Sequence, residues 1–272
     1  MYKERFIKSF KNLHILLFIP DLVMLTFTLL AGFFFAKSSN FTQFLTDANR
    51  LADSLETLIP LINEFVQKNI LVISIYLTIF FIGGFIIGSG MIAMKFGMMK
   101  DVVEKKKLSF SKMYEHSAKN FWKVVWLRLT VFLISLVVLV VFGLLFGLNI
   151  INPFYKSVFF VLILLLFVFT LIFLKFLLLF RYPALFFDNK NSIQTIKNLY
   201  YYLINNFKHV FITWIIIFLI GLIILLLDVS LNIAQVAGLL LIMLIIRYII
   251  NLVYTVWSNM FLFYSYKLKW YP

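Results

Sequence analysis

The chain contains no cysteine, which excludes disulfides, thiolate catalysis, thiolate-held iron–sulfur clusters and thiolate metal sites. It is also poor in charge. Asp, Glu, Lys and Arg make up 13% of its 272 residues, where a water-soluble domain carries roughly 25%. Acidic residues are the scarcer sign, 11 against 25 basic, for a formal charge of +14. Apolar surface takes the place of charge, at 63% of residues with 34 phenylalanines. A chain of this make-up does not hide its apolar surface from water by folding on itself.

A membrane span needs about 20 predominantly apolar residues. Six runs of that kind occur: Leu13–Ala36, Ile70–Met94, Val124–Leu148, Ser157–Phe180, Val210–Leu227 and Val236–Val256. The basic residues alternate with them. Residues 1–12, 95–123, 181–208 and the tail after span six hold eighteen Lys and Arg, against four in the alternate connections (Lys37, Arg50, Lys68 and Lys156). Lys and Arg in short loops mark the cytoplasmic side, so both termini are expected inside, in a cell membrane. The basic inner face suits anionic headgroups of membrane lipids, each nearby Lys or Arg adding roughly 1 kcal/mol of attraction. Topology and lipid account for the charge, and no nucleic-acid partner is expected. Met1–Asn12 is basic and precedes an apolar run, as in a signal peptide. That run is longer than an h-region of about 7–15 residues and no clear cleavage site follows, so it reads as a retained first span.

The segments leading into spans one, three and five resemble one another. Tyr114, Asn120, Phe121 and Val124 fall on Tyr200, Asn206, Phe207 and Val210, while Ser9, Lys11 and Asn12 fall on Ser117, Lys119 and Asn120. Apolar residues at helical spacing (Phe110, Met113, Tyr114, Ala118 and Phe121; Ile196, Leu199, Tyr200, Leu203 and Phe207) predict amphipathic helices, which beside basic residues and a span lie in the cytoplasmic interface. The expected architecture is an all-α polytopic membrane protein, one membrane domain over 1–272. Its six transmembrane helices form three hairpins, with repeats at 1–94, 106–187 and 192–266.

The run from Asn12 to Pro20 and the segment Arg181–Phe187, followed by Ser192–Phe207, resemble a loose group of uncharacterised six-span prokaryotic membrane proteins. That group includes the membrane domain attached to some glycerophosphodiester phosphodiesterases. The resemblance covers nearly the whole chain by general pattern. It implies a six-span architecture and, without a phosphodiesterase catalytic domain here, transfers no activity.

The external connection Lys37–Lys68 is long. Phe41, Phe44, Leu45, Ala48, Leu51, Ala52, Leu55, Leu58, Ile59 and Ile62 keep helical spacing, with Asp47, Arg50, Asp53, Glu56 and Glu64 opposite. We expect an amphipathic helical segment over 38–68, bent at or near Pro60. It either caps the spans on the outer face or docks a protein partner.

Ionisable groups inside spans mark candidate functional positions. Lys175 lies near the inner end of span four and Arg128 about 7–8 Å into span three by helical rise; both can snorkel. Asp21, after Pro20, and Arg247, placed near the middle of span six, reach water less easily. We expect Asp21 to pair with Arg128 or Arg247, with Asn251 one turn from Arg247 adding a hydrogen bond, so that Asp21, Arg128, Arg247 and Asn251 form an intramembrane polar cluster. Gly84 and Gly88 have the small-xxx-small spacing of close helix packing.

Catalytic patterns are missing. Ser89 has no glycine two residues before it, and His14, His116 and His209 all fall near the expected cytoplasmic boundary, away from it. The histidines show no His-x-x-x-His spacing and read as solvated interfacial side chains. No Gly-Lys-Ser/Thr phosphate loop or dinucleotide fingerprint occurs, so no catalytic residue, cofactor or metal is expected. Two functions fit: a non-enzymatic integral membrane protein that organises lipid or a partner protein, or a small transporter or lipid-translocating protein with a polar pathway between spans one, three and six. A polar cavity reaching the midplane would favour the second.

Overall fold

A computed structural model describes residues 2–51, 55–151, 156–233 and 240–270. Every regular element among them is helical: α1 (Tyr2–Lys11), a 3-10 turn (Ile15–Leu17), α2 (Ile19–Ser38), α3 (Phe41–Leu51), α4 (Leu55–Val103), α5 (Phe110–Ile151), α6 (Lys156–Leu177), α7 (Arg181–Asp188), α8 (Ser192–Asn205), α9 (Phe207–Ile233) and α10 (Leu240–Trp270). Six helical stretches are long and apolar enough to cross a membrane: Ile15–Ser38, Leu58–Val103, Phe110–Leu148, Phe159–Asp188, Phe207–Ser230 and Ile242–Leu268. The chain is an all-α, multi-pass membrane protein. Residues 152–155 and 234–239, which hold the centres of two links expected to be external and the expected start of span six, lie outside the described residues, as do 52–54.

The chain divides into two compact units, one of residues 1–18 with 93–272 and one of residues 19–92. In the smaller unit the Phe27 ring lies over the backbone of α4, 3.3 Å from where a Cβ would stand at Gly83 and 3.8 Å from that at Gly84. Gly88 is buried. The described residues of segment 38–68 fall mostly in two helices, α3 and the start of α4. α3 returns onto α4 through the rings of Phe41 and Phe44, 5.8 and 4.5 Å from that of Phe65. The bend expected at Pro60 falls at Asn69 instead (φ −113°, ψ 15°). Pro60 lies inside α4, whereas at the bend the Asn69 side chain donates to the Phe65 carbonyl at 3.0 Å and competes with the helix ladder.

In the larger unit the core gathers at the basic ends of the helices. No more than 17% of the most apolar stretch of any span is buried. The fully buried side chains include Met98 and Met99 of α4, Leu127 of α5, Leu199 and Tyr202 of α8, and Trp257, Phe261 and Phe263 of α10. Lipid-facing apolar surface gains nothing by packing on other apolar surface, so burial concentrates where the helices leave the hydrocarbon-length window. α4 and α10 accordingly run on to Val103 and Trp270, well past the span ends expected at Met94 and Val256.

The three segments leading into the odd-numbered spans differ. α1 ends at Lys11, and α8 is parted from α9 at Asn206 (φ −132°, ψ 30°). The middle one is no separate helix, since α5 runs unbroken from Phe110 into span three. Asn120, the position matched to Asn206, stays helical and donates to the His116 carbonyl at 3.1 Å.

Candidate functional site

The larger unit carries an open cleft of about 690 Å³ where three chain segments meet. The end of α1 supplies Lys8, Lys11, Asn12, Leu13 and His14. The α4–α5 connection supplies Val102, Val103, Lys105, Lys106 and Leu108, and the end of α10 Tyr264, Lys267 and Leu268. Asn12 holds two of these segments together, its side-chain amide donating to the Tyr264 hydroxyl at 2.7 Å. His14 Nδ1 accepts from the Leu16 N–H at 3.2 Å and so caps the 3-10 turn.

Five lysines line this cleft. Two are occupied: Lys267 donates to the Val103 carbonyl at 3.3 Å, and Lys106 pairs with Glu104 at 2.6 Å, a bond that holds its ammonium above the ordinary lysine value. Among the described contacts none engages the ammonium groups of Lys8, Lys11 or Lys105. Lys105 stands in a left-handed conformation, φ 61°. The bonds Lys105 N–H to Val102 O (3.0 Å) and Lys106 N–H to Asp101 O (2.8 Å) close the end of α4 around it, a helix ending that usually takes glycine. A side chain there costs roughly 1–2 kcal/mol, so a lysine at 105 spends stability to place a charge in the cleft. Leu13, Val102, Val103, Leu108 and Leu268 provide an apolar wall beside the charges. This pairing of charge and apolar surface suits a phosphate attached to a lipid.

A second polar group lies where α1 meets α8, α9 and α10. His209 is buried rather than solvated: Tyr2 Oη is 2.7 Å from its Nδ1, and the Ser265 carbonyl 3.2 Å from its Nε2. A carbonyl only accepts, so a neutral ring carries its hydrogen on Nε2, and Nδ1 accepts the hydrogen bond that the Tyr2 hydroxyl donates. His116 is likewise engaged, its Nε2 2.7 Å from Asp101. Of the three histidines expected to be solvated, His14 is exposed, whereas His116 is half-buried against α4 and His209 is buried by Tyr202 of α8 and the far end of α10.

Arg5 belongs to this group and is fully buried, its three guanidinium nitrogens without an acceptor among the described residues. Its Cζ lies 5.3 Å over the Tyr2 ring. Burial pulls the guanidinium below its ordinary value, with Tyr2 and Tyr202 opposing. Burial also pushes both phenols up, so they stay neutral and supply no counter-charge. A cation–π contact contributes about 1–2 kcal/mol, less than the several kcal/mol needed to desolvate an ion. Sequence reading counted Arg5 among the basic residues of 1–12 that mark the expected cytoplasmic side. The available signal was spacing: Tyr2, Arg5, Phe6 and Ser9 share one helical face, and Arg5 and Ser9 are buried there.

Of the expected intramembrane cluster, the structure brings Arg247 and Asn251 together on Asp228, a residue expected in an external link. Arg247 Nε lies 3.5 Å from Asp228 Oδ1, and the Asn251 amide donates to Oδ2 at 3.2 Å. Because α10 continues to Trp270, Arg247 is about 32 Å by helical rise from Leu268 at the basic end, towards the opposite end of the span and not at its middle. Arg128 is half-buried on α5, in the field of Tyr182 and Arg181 of α7. Asp21 is half-buried in the first turn of α2, in the smaller unit. Lys175 is exposed, and Ser89 is buried with its hydroxyl donating to the Phe85 carbonyl at 2.7 Å. Among the described residues no three His, Cys, Asp or Glu side chains gather into a metal-binding group.

Asp228→Ala should leave Arg247 partly buried without this carboxylate. For a pair about a quarter exposed, between the values typical of surface and buried pairs, we expect a loss of roughly 1–2 kcal/mol, or a thermal midpoint lower by about 2–8 °C. Adding Arg247→Met should recover part of it; equal midpoints for wild type and Asp228→Ala would remove the pair from the fold's energetics.

No family model, curated protein or solved structure matches this chain, so only its own residues bear on the six-span resemblance and on the site.

Proposed function

We propose that this is a non-enzymatic component of the cell membrane, with both termini cytoplasmic, that holds anionic lipid by its phosphate in the lysine cleft. The observation that supports this reading is the convergence of Lys8, Lys11 and Lys105 beside an apolar wall, with Lys105 kept in a conformation that glycine would adopt more easily. The basic residues clustered between alternate spans support the orientation. An ammonium close to an anionic lipid surface contributes about 1 kcal/mol, so three contribute roughly a hundredfold in affinity.

The test compares wild type with Lys8→Gln/Lys11→Gln/Lys105→Gln, reconstituted in nanodiscs of phosphatidylcholine doped with phosphatidylglycerol, by the anionic lipid retained per protein. We expect at least a tenfold weaker preference for phosphatidylglycerol in the triple variant. An unchanged preference would overturn the reading. Competition by millimolar inorganic phosphate that empties the site of lipid would make the free anion its natural occupant. Lys105→Gly separates binding from folding: it should raise the thermal midpoint by about 2–8 °C, relieving the roughly 1–2 kcal/mol left-handed strain, while weakening lipid retention.

A further inference from the structure

We propose that Arg5 is the centre of an internal anion site that takes a small monovalent inorganic anion of the chloride class and thereby fastens α1 to α10. The site is separate from the lysine cleft, whose lining does not include Arg5. Arg5 offers an uncompensated positive charge: the groups acting on it are the phenols of Tyr2 and Tyr202, and no carboxylate is among them. The neighbouring elements add hydrogen-bond donors. Ser265 Oγ and Thr213 Oγ1 are fully buried without a partner among the described residues, and so is the indole Nε1 of Trp257.

Ser265 and Thr213 are linked to Arg5 through a chain of contacts, while Trp257 stands two turns from Ser265 along α10, about 12 Å by helical rise. Ser265 is tied through its carbonyl to His209, and His209 to Tyr2, whose ring carries the Arg5 guanidinium. Thr213 follows His209 by one turn of α9, and the Trp257 ring packs 5.2 Å from Phe6, the neighbour of Arg5. An indole N–H only donates, and hydroxyls donate readily to an anion. A guanidinium with donors and no carboxylate is an environment for an anion, and full burial of Arg5 restricts it to a small one. A buried charge gains most from a partner when both are out of water, so occupancy favours the docked position of α1.

The full-length protein in an uncharged detergent would be melted across a titration of sodium chloride into sodium gluconate at constant ionic strength. In wild type the thermal midpoint should rise saturably by about 5 °C, as for a ligand that binds only the folded state. Arg5→Met should melt at one temperature throughout, and the Lys8/Lys11/Lys105 triple variant should keep the wild-type response, which separates this site from the cleft. If Arg5→Met does not fold, Ser265→Ala and Thr213→Val decide, each expected to raise the half-saturating chloride concentration at least fivefold. Crystals grown in bromide should show anomalous density beside the guanidinium. A wild-type midpoint equal in chloride and gluconate, or an undiminished chloride response in Arg5→Met, would refute the site.

Discussion

Gly97→Ala is expected to lower the thermal midpoint of the folded protein by more than most single substitutions do. A Cβ at residue 97 would stand 2.3 Å from Cγ, 2.5 Å from Cβ and 2.7 Å from Nδ1 of His116. These are base atoms of the imidazole, not the far end of a flexible chain, and the ring is held by Asp101 at 2.7 Å. Asp101 is itself buried. The two helices must therefore separate where α4 runs alongside the start of α5. Overpacking typically costs 1–3 kcal/mol and occasionally more; with a rigid neighbour on each side we expect about 3 kcal/mol or above, a fall of roughly 6–12 °C in thermal midpoint. Size-exclusion in detergent with a melting curve reads the outcome. His116→Gly in the same chain should restore part of the loss, and a Gly97→Ala midpoint within about 1 °C of wild type would show that the close approach is not required.

Trp257→Ala should release α1. Trp257 is 1% exposed, and its ring lies 5.2 Å from Phe6 and Phe10, 5.6 Å from Phe261 and 6.1 Å from Tyr254. Truncating a buried tryptophan costs about 3–5 kcal/mol. Because two of the four partners sit on α1, the loss should fall first on that helix. Limited trypsinolysis should cut after Lys8 or Lys11 at least tenfold faster than in wild type, before any change at Lys105. Trp126→Ala is the control, since Trp126 is exposed on α5 and should leave the cleavage rate unaltered. Equal cleavage of wild type and Trp257→Ala would show that α1 is held by something other than this aromatic cluster.

The spans were legible because a 20-residue apolar run has few other uses, and Leu13–Ala36 or Val124–Leu148 needs no tertiary information to be read. The ends of the helices were not. Val256–Tyr266 is as aromatic as the spans and interrupted by Ser258, Asn259 and Ser265, so hydropathy alone stops at Val256 while the helix and its core continue. Asn120 and Asn206 occupy matched positions, yet only the second interrupts a helix; the choice depends on packing, which short similarity does not carry. Lys105 was legible as a charge but not as a left-handed residue. Asp228 looked like part of a link because the apolar run ends at Leu227, and its pairing with Arg247 and Asn251 requires two neighbouring helices in register. For Arg5 the periodicity was present in Tyr2, Phe6 and Ser9, but a guanidinium on a buried face contradicts the usual reading of charge.

The gathering of buried side chains at the basic ends of the larger unit divides its response to the bilayer. The lengths of its spans away from the basic ends are little buried within the protein, and hydrophobic mismatch in a bilayer is relieved by tilt at fractions of a kcal/mol per Å. The cluster of Phe180, Tyr202, Leu203, Val210 and Tyr266 is interlocked and resists such small forces. A change in acyl-chain length would thus splay or draw together the portions of these helices away from the basic ends while that cluster keeps its shape. On the lipid-binding reading proposed above, headgroup chemistry and membrane thickness would then be sensed by different parts of one molecule.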